Sequence, residues 1–140
     1  MQTNSVQSDG QNASPPVTPG GALSGARILV VEDEFLIGMQ LQAVFEEEGA
    51  EVIGPCATLA EALERAREGD ITGATLDFNL GKQLVTPVAE LLTQRRVPFL
   101  FYSVKTTHSA LDPWRHLPLV QKPAAPDELV RTLASLLKLA

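Results

Sequence analysis

The chain has 140 residues, room for one domain with a sizeable core, and its 44% hydrophobic and 20% charged content is that of a soluble globular protein. A formal net charge of −6 argues against non-specific binding to phosphate backbones. One cysteine, Cys56, excludes an intramolecular disulfide, and no apolar run approaches the roughly 18 residues that span a bilayer. The start of the chain also lacks the basic-then-apolar order of a secretory signal, so the cytoplasm is the expected compartment, without membrane attachment.

Residues 1–24 are rich in Ser, Gln, Asn, Gly, Pro and Thr and nearly free of large apolar side chains. Such a stretch buries too little surface to offset its ordering entropy, so a disordered extension is expected over 1–24 and a folded domain over 25–140. From Arg27 onward the hydrophobic period alternates. Ile28-Leu29-Val30-Val31 reads as a strand buried on both faces. Ile37, Leu41, Val44 and Phe45 then recur at helical spacing, with Gly49 where a helix-ending glycine belongs. Glu51-Val52-Ile53-Gly54 predicts a second strand, ended by Pro55. Thr58 and Glu61 form a capping box for a helix to about Glu68. Ala74-Thr75-Leu76 predicts a third strand, and Thr86 before Pro87 predicts the cap and first turn of a helix reaching about Arg95. Pro98-Phe99-Leu100-Phe101-Tyr102 predicts a fourth strand. Between Ser109 and His116 a helix is poorly supported, because Pro113 and Pro118 crowd it. Leu119-Val120-Gln121 predicts a fifth strand. Pro126-Asp127-Glu128 then opens a last helix, with Leu129, Val130, Leu133, Leu136 and Leu137 on its apolar side.

This alternation builds an open parallel sheet covered on both faces, whose functional site lies beyond the carboxyl ends of the strands. The residues there are Glu32-Asp33-Glu34, Asp77-Phe78-Asn79, Ser103 and Gln121-Lys122-Pro123. Brought together, they make a pocket of carboxylates, one hydroxyl and one ammonium. Facing carboxylates repel unless a cation holds them, and oxygen-only ligands select a hard ion such as Mg²⁺, which completes its shell with waters and a phosphate. A carboxylate can also accept a phosphoryl group as an acyl phosphate, with Lys122 neutralising and Ser103 donating to phosphoryl oxygens. Each element alone has a bland reading, such as a turn or a solvated loop; the combination at strand ends is far more specific.

These stretches resemble the receiver domain of two-component response regulators over roughly Ala26 to Ala140. The resemblance implies a flavodoxin-like (βα)5 doubly wound parallel sheet of order 2-1-3-4-5, here with a short or irregular fourth helix. It implies Asp77 as phosphoacceptor, Asp33 as direct Mg²⁺ ligand, Glu32 acting mostly through water, and the Asn79 carbonyl as a third protein ligand. Lys122, usually joined to its proline by a cis bond, would contact the phosphoryl group, and Ser103 matches the switch hydroxyl. Gly54-Pro55, Leu59-Ala60-Glu61-Ala62-Leu63, Asp77-Phe78-Asn79-Leu80-Gly81 and Pro87-Val88-Ala89 are similar to a single-domain bacterial subgroup that reads Phe-Ala-Thr-Gly-Tyr after strand four. This chain departs from it with Phe101-Tyr102-Ser103-Val104-Lys105, and has Leu119 where an aromatic switch residue is usual. Those departures point to a signal leaving through the loop after Ser103 and a short or mobile fourth helix.

The resemblance implies a stand-alone phosphoacceptor, not an enzyme acting on outside substrates, though it catalyses its own phosphotransfer and dephosphorylation. A histidine kinase or histidine phosphotransfer protein would donate, and an unknown downstream protein would receive the signal by contact unless the protein serves as a phosphate sink. The alternative is a receiver-like module that binds its partner without phosphorylation. An aspartyl-nucleophile phosphatase would need two aspartates two residues apart after strand one, which Asp33-Glu34-Phe35 does not supply. A flavin or nucleotide site would need a Gly/Ser/Thr-rich loop where Glu32-Asp33-Glu34 stands. His108 and His116 read as exposed loop residues, Cys56 as a small packed one, and Glu46-Glu47-Glu48 as a solvated helix end; Trp114 reads either as a core cap or as part of a partner surface.

Overall fold

Strand β1 (Arg27–Val31) is the central organiser of the computed structural model, which describes residues 21–104 and 106–139. It pairs in parallel with β2 (Glu51–Cys56) on one side and β3 (Gly73–Leu76) on the other, and the sheet continues through β4 (Phe99–Ser103) to β5 (Leu119–Gln121). The order is therefore 2-1-3-4-5, as expected. Parallel strands covered by helices on both faces have no solvent side, which is why β1, β3 and β4 are almost wholly apolar and buried. Alternate side chains feed two cores. Leu29, Val31, Leu76 and Phe101 face α2 (Leu59–Arg67) and α3 (Thr86–Gln94), while Ile28, Val30, Leu100 and Tyr102 face α1 (Phe35–Glu47) and α4 (Pro126–Leu136). Among the described residues no helix is long and apolar enough to cross a membrane.

Several sequence expectations hold at atomic detail. Thr58 Oγ1 accepts the Glu61 N–H at 3.1 Å, and Glu61 Oε1 reaches back to the Ala57 N–H at 3.3 Å. Gly49, at φ 95°, ends α1 in the left-handed conformation that only glycine adopts without strain.

Three expectations need correction. Pro55 does not end the second strand, because β2 is an edge strand and carries an extra residue opposite Leu29–Val31, and such bulged edges tolerate proline. Gly54 (φ 100°) makes this possible, since a Cβ there would lie 2.8 Å from the Val30 carbonyl oxygen. Thr86 is not the cap of α3. It is already helical, and Val85 takes the cap position because its buried side chain and its N–H bond to the Phe78 carbonyl anchor the entry. The fourth helix, by contrast, is short and irregular as expected: a 3-10 helix, Ser109–Trp114, which accommodates Pro113 in a short run. Finally, the folded domain begins before residue 25. Leu23 is fully buried against the α1–α4 core, and its N–H bonds the Glu48 carbonyl at 2.8 Å, while Glu48 Oε1 accepts from Ala22. Residues 21–24 thus belong to the fold, and the rest of the expected extension, residues 1–20, lies outside the described residues.

Candidate functional site

The pleat delivers each candidate side chain to the same end of the sheet. Beyond β1, the Glu32 N–H bonds the Cys56 carbonyl, which holds the Glu32 carboxylate inward, and its residue is 2% exposed. Beyond β3, the Asp77 N–H bonds the Val31 carbonyl, setting Asp77 directly beside it. Ser103 ends β4, and the Lys122 N–H bonds the Ser103 carbonyl, so β5 hands its lysine to the same place. The Lys122–Pro123 peptide bond is cis, as the resemblance implied.

The ammonium sits among three carboxylates. Lys122 Nζ lies 2.8 Å from Glu32 Oε1, 3.0 Å from Asp77 Oδ2 and 3.3 Å from Glu34 Oε2. Asp77 Oδ1 accepts from Ser103 Oγ at 3.0 Å and from the Asn79 N–H at 3.3 Å. Asp33 is tied from across the site, its Oδ2 accepting the Gly81 N–H at 2.8 Å. Gly81 lies in the turn of a short ribbon formed by Asn79–Leu80 and Gln83–Leu84. Every sequence-predicted residue is therefore present: Glu32, Asp33, Asp77, Asn79, Ser103 and Lys122. Sequence reasoning placed Glu34 at the pocket without a specific part and assigned none to Gly81 or Tyr102. The Lys122 ammonium lies 5.6 Å from the Tyr102 ring centroid, and the Tyr102 hydroxyl accepts the Ala124 N–H, bracing the lysine loop. Only the strand-end position of Tyr102, one residue before Ser103, could have signalled this.

Negative charge is in excess. Carboxylate oxygens of Glu32, Asp33, Glu34 and Asp77 all lie within 4.8 Å of one another, against the single ammonium of Lys122. Burial pushes the Glu32 carboxyl up from 4.5 to about 7, the Lys122 hydrogen bond opposing and the Asp77 charge adding to the rise. Burial works against the Lys122 ammonium too, but the hydrogen bonds to Glu32 and Asp77 outweigh it and hold the group well above its ordinary range. Glu32 holds its proton chiefly because burial disfavours its charge, and Lys122 holds its own because two carboxylates bond it. An all-oxygen cluster with this excess of negative charge suits a hard divalent cation.

The rim is apolar. Phe35, Leu36 and Met39, on the first turns of α1 just after Glu34, and Val104, just after Ser103, are exposed large hydrophobic side chains. Lys105, the last residue of the departing motif, lies outside the described residues. His108 is exposed as expected but has a structural part. Its Nδ1 accepts the Ala110 N–H to cap the 3-10 helix, and its ring packs edge-on against Phe78, the neighbour of Asp77. Trp114 is a core residue whose Nε1–H bonds Thr93 Oγ1. Cys56 is fully buried, and that burial pushes its thiol up to about 11, which keeps it unreactive.

No protein-family model matches the chain. The solution structure of SdrG from Sphingomonas melonis Fr1 is similar at 41% identity and a TM-score of 0.70, over 83% of this chain and 98% of that one. The phyllosphere-induced regulator PhyR of Methylorubrum extorquens is 40% identical over 77 residues, 53% of this chain. The chain spans only 29% of the length of that curated relative. A CheY-like response regulator receiver domain protein from Methanospirillum hungatei JF-1 shares the fold, with a TM-score of 0.73 at 21% identity, over 81% of this chain and 94% of that one.

Proposed function

The chain belongs to the CheY-like receiver domains of response regulators, and from that premise we propose that it takes a phosphoryl group on the Asp77 carboxylate from a histidine-bearing protein donor. The observation that carries the reading is the convergence on one carboxylate: Lys122 Nζ on Asp77 Oδ2 and Ser103 Oγ on Oδ1, each at 3.0 Å, beside two further acids. In the transfer, an Asp77 oxygen attacks phosphorus and an O–P bond forms as the donor's N–P bond breaks, the electron pair returning to the imidazole. The Lys122 ammonium is placed to neutralise a phosphoryl oxygen and the Ser103 hydroxyl to donate to another, so the work is positioning and charge compensation. Glu32, Asp33, Asp77 and the Asn79 carbonyl would hold Mg²⁺, which supplies the remaining positive charge.

A protein donor fits the rim. Phe35 and Leu36 are 75% and 78% exposed beside the pocket mouth, a surface that a small phosphate ester would leave uncovered. We read the chain as a phosphoacceptor that signals by contact, and not as an enzyme for outside substrates. Its likeness to SdrG and PhyR supports a signalling partner in a two-component system. The Ser103 contact, with Leu119 in place of an aromatic, supports a switch in which the hydroxyl and the following loop carry the change.

Intact-mass measurement after incubation with Mg²⁺ and acetyl phosphate tests the proposal. A phosphoryl adduct is expected that needs the metal and disappears in Asp77→Asn. An adduct that survives Asp77→Asn would place the acceptor elsewhere. No adduct with acetyl phosphate or with purified kinases would favour the phosphorylation-independent module.

A further inference from the structure

A cavity of about 950 Å³ opens at the amino end of the sheet, the opposite end from the acidic pocket. It lies where β4 begins, between the end of α3, the 3-10 helix and the end of α4, and is comparable in size to sites that bind ligands. Its apolar lining comes from Val97, Phe99, Trp114 and Leu136. Charge is placed at its rim by Arg96 and Lys138, with His116 beside them and Glu90 as the acid of the lining.

Arg96 and Lys138 share an uncommon backbone. Both have φ 60°, and among the described residues they are the non-glycine residues with positive φ. Each stands just past the cap of its helix, Arg95 for α3 and Leu137 for α4. Glycine is the residue that takes this position without steric cost. Two long cations stand there instead, and both border the same cavity. Neither forms an ion pair among the described residues. Because α3 and α4 cover opposite faces of the sheet, the two cations flank the cavity from different sides. A backbone outlier kept at a cavity points to a use for the side chain it carries.

We propose that this cavity docks an acidic peptide segment of a partner protein, one apolar side chain entering between Val97, Trp114 and Leu136 while carboxylates on either side meet Arg96 and Lys138. Two separated cations around an apolar centre match a peptide with flanking acids better than a compact single anion. In a chain of net charge −6, two cations without an ion pair among the described residues give this cavity a local attraction for an acidic partner.

The test is titration of the ¹⁵N-labelled full chain with a six-residue peptide, a Leu-Phe pair flanked on each side by two glutamates. A twin with lysines for glutamates and a single-stranded oligonucleotide serve as comparators. Saturable amide shifts are expected in Arg96, Val97, Phe99, residues 114–117 and residues 136–138, and none with the comparators. The Arg96→Gly/Lys138→Gly double variant should weaken binding at least tenfold while its thermal midpoint holds or rises, because glycine suits both backbone positions. A merely structural role for the two cations would lower the midpoint and leave affinity unchanged. Absence of saturable shifts, equal binding of either comparator, shifts confined to another surface, or full affinity in the double variant would each overturn the proposal.

Discussion

Replacing Glu32 by glutamine should convert a pH-dependent stability into a nearly flat one. The amide keeps the shape of the side chain and an oxygen for Lys122 Nζ, now 2.8 Å from the carboxylate, but cannot ionise. Folding raises the proton affinity of the Glu32 carboxyl from 4.5 to about 7, chiefly through burial and against the pull of Lys122. The neutral form is therefore the one the fold favours. Its stabilising contribution is complete below 4.5 and is lost as the pH climbs to about 7, beyond which nothing further changes. The loss is worth about 3 kcal/mol. For a domain of this size that corresponds to a fall in Tm of roughly 10 °C. Thermal unfolding followed by circular dichroism, in chelator from pH 4.5 to pH 8, should show the wild type losing this stability relative to Glu32→Gln. Millimolar Mg²⁺ at the alkaline end should recover much of the wild-type loss, because a bound cation compensates the charge that burial penalises. Parallel curves for the two proteins would refute the account of Glu32 as a carboxyl whose charge burial penalises.

Two further outcomes follow from single contacts. Ser103→Ala leaves Asp77 Oδ1 without its buried hydroxyl donor and should cost about 1–2 kcal/mol in chemical denaturation, together with slower phosphorylation by acetyl phosphate; an unchanged rate would take Ser103 out of the reaction. Leu23→Ala empties a fully buried position against α1 and α4 and should destabilise the fold by about 2–5 kcal/mol, whereas a change within 0.5 kcal/mol, taken as roughly the ordinary surface range, would return residues 21–24 to the extension.

The fold was legible because its signals are local and repeated. Apolar runs such as Ile28–Val31 mark strands buried on both faces, and Thr58 with Glu61 and the acids after Pro126 mark helix starts. Parallel strands must be joined by crossovers, so their carboxyl ends gather on one side, and Glu32, Asp33, Asp77, Ser103 and Lys122 could be grouped before any coordinates. What misled sequence reasoning was tertiary context overriding a local rule. Pro55 ends a strand in general, but not on a bulged edge strand. Thr86 is a favoured cap residue, yet the buried Val85 claims the position. Leu23 sits in a polar stretch whose composition says little about one leucine that finds a core.

The sequence by itself therefore determined the alternation of strand and helix, the sheet that alternation must build, and the identity of the acidic cluster, since these follow from residue type and period. Only the tertiary structure decided which carboxylates share Lys122, that Glu34 and Tyr102 help to hold it, and that Arg96 and Lys138 meet at one cavity. Those facts depend on distances between residues far apart in the chain, and on backbone angles set by packing, which no local pattern of residue types encodes.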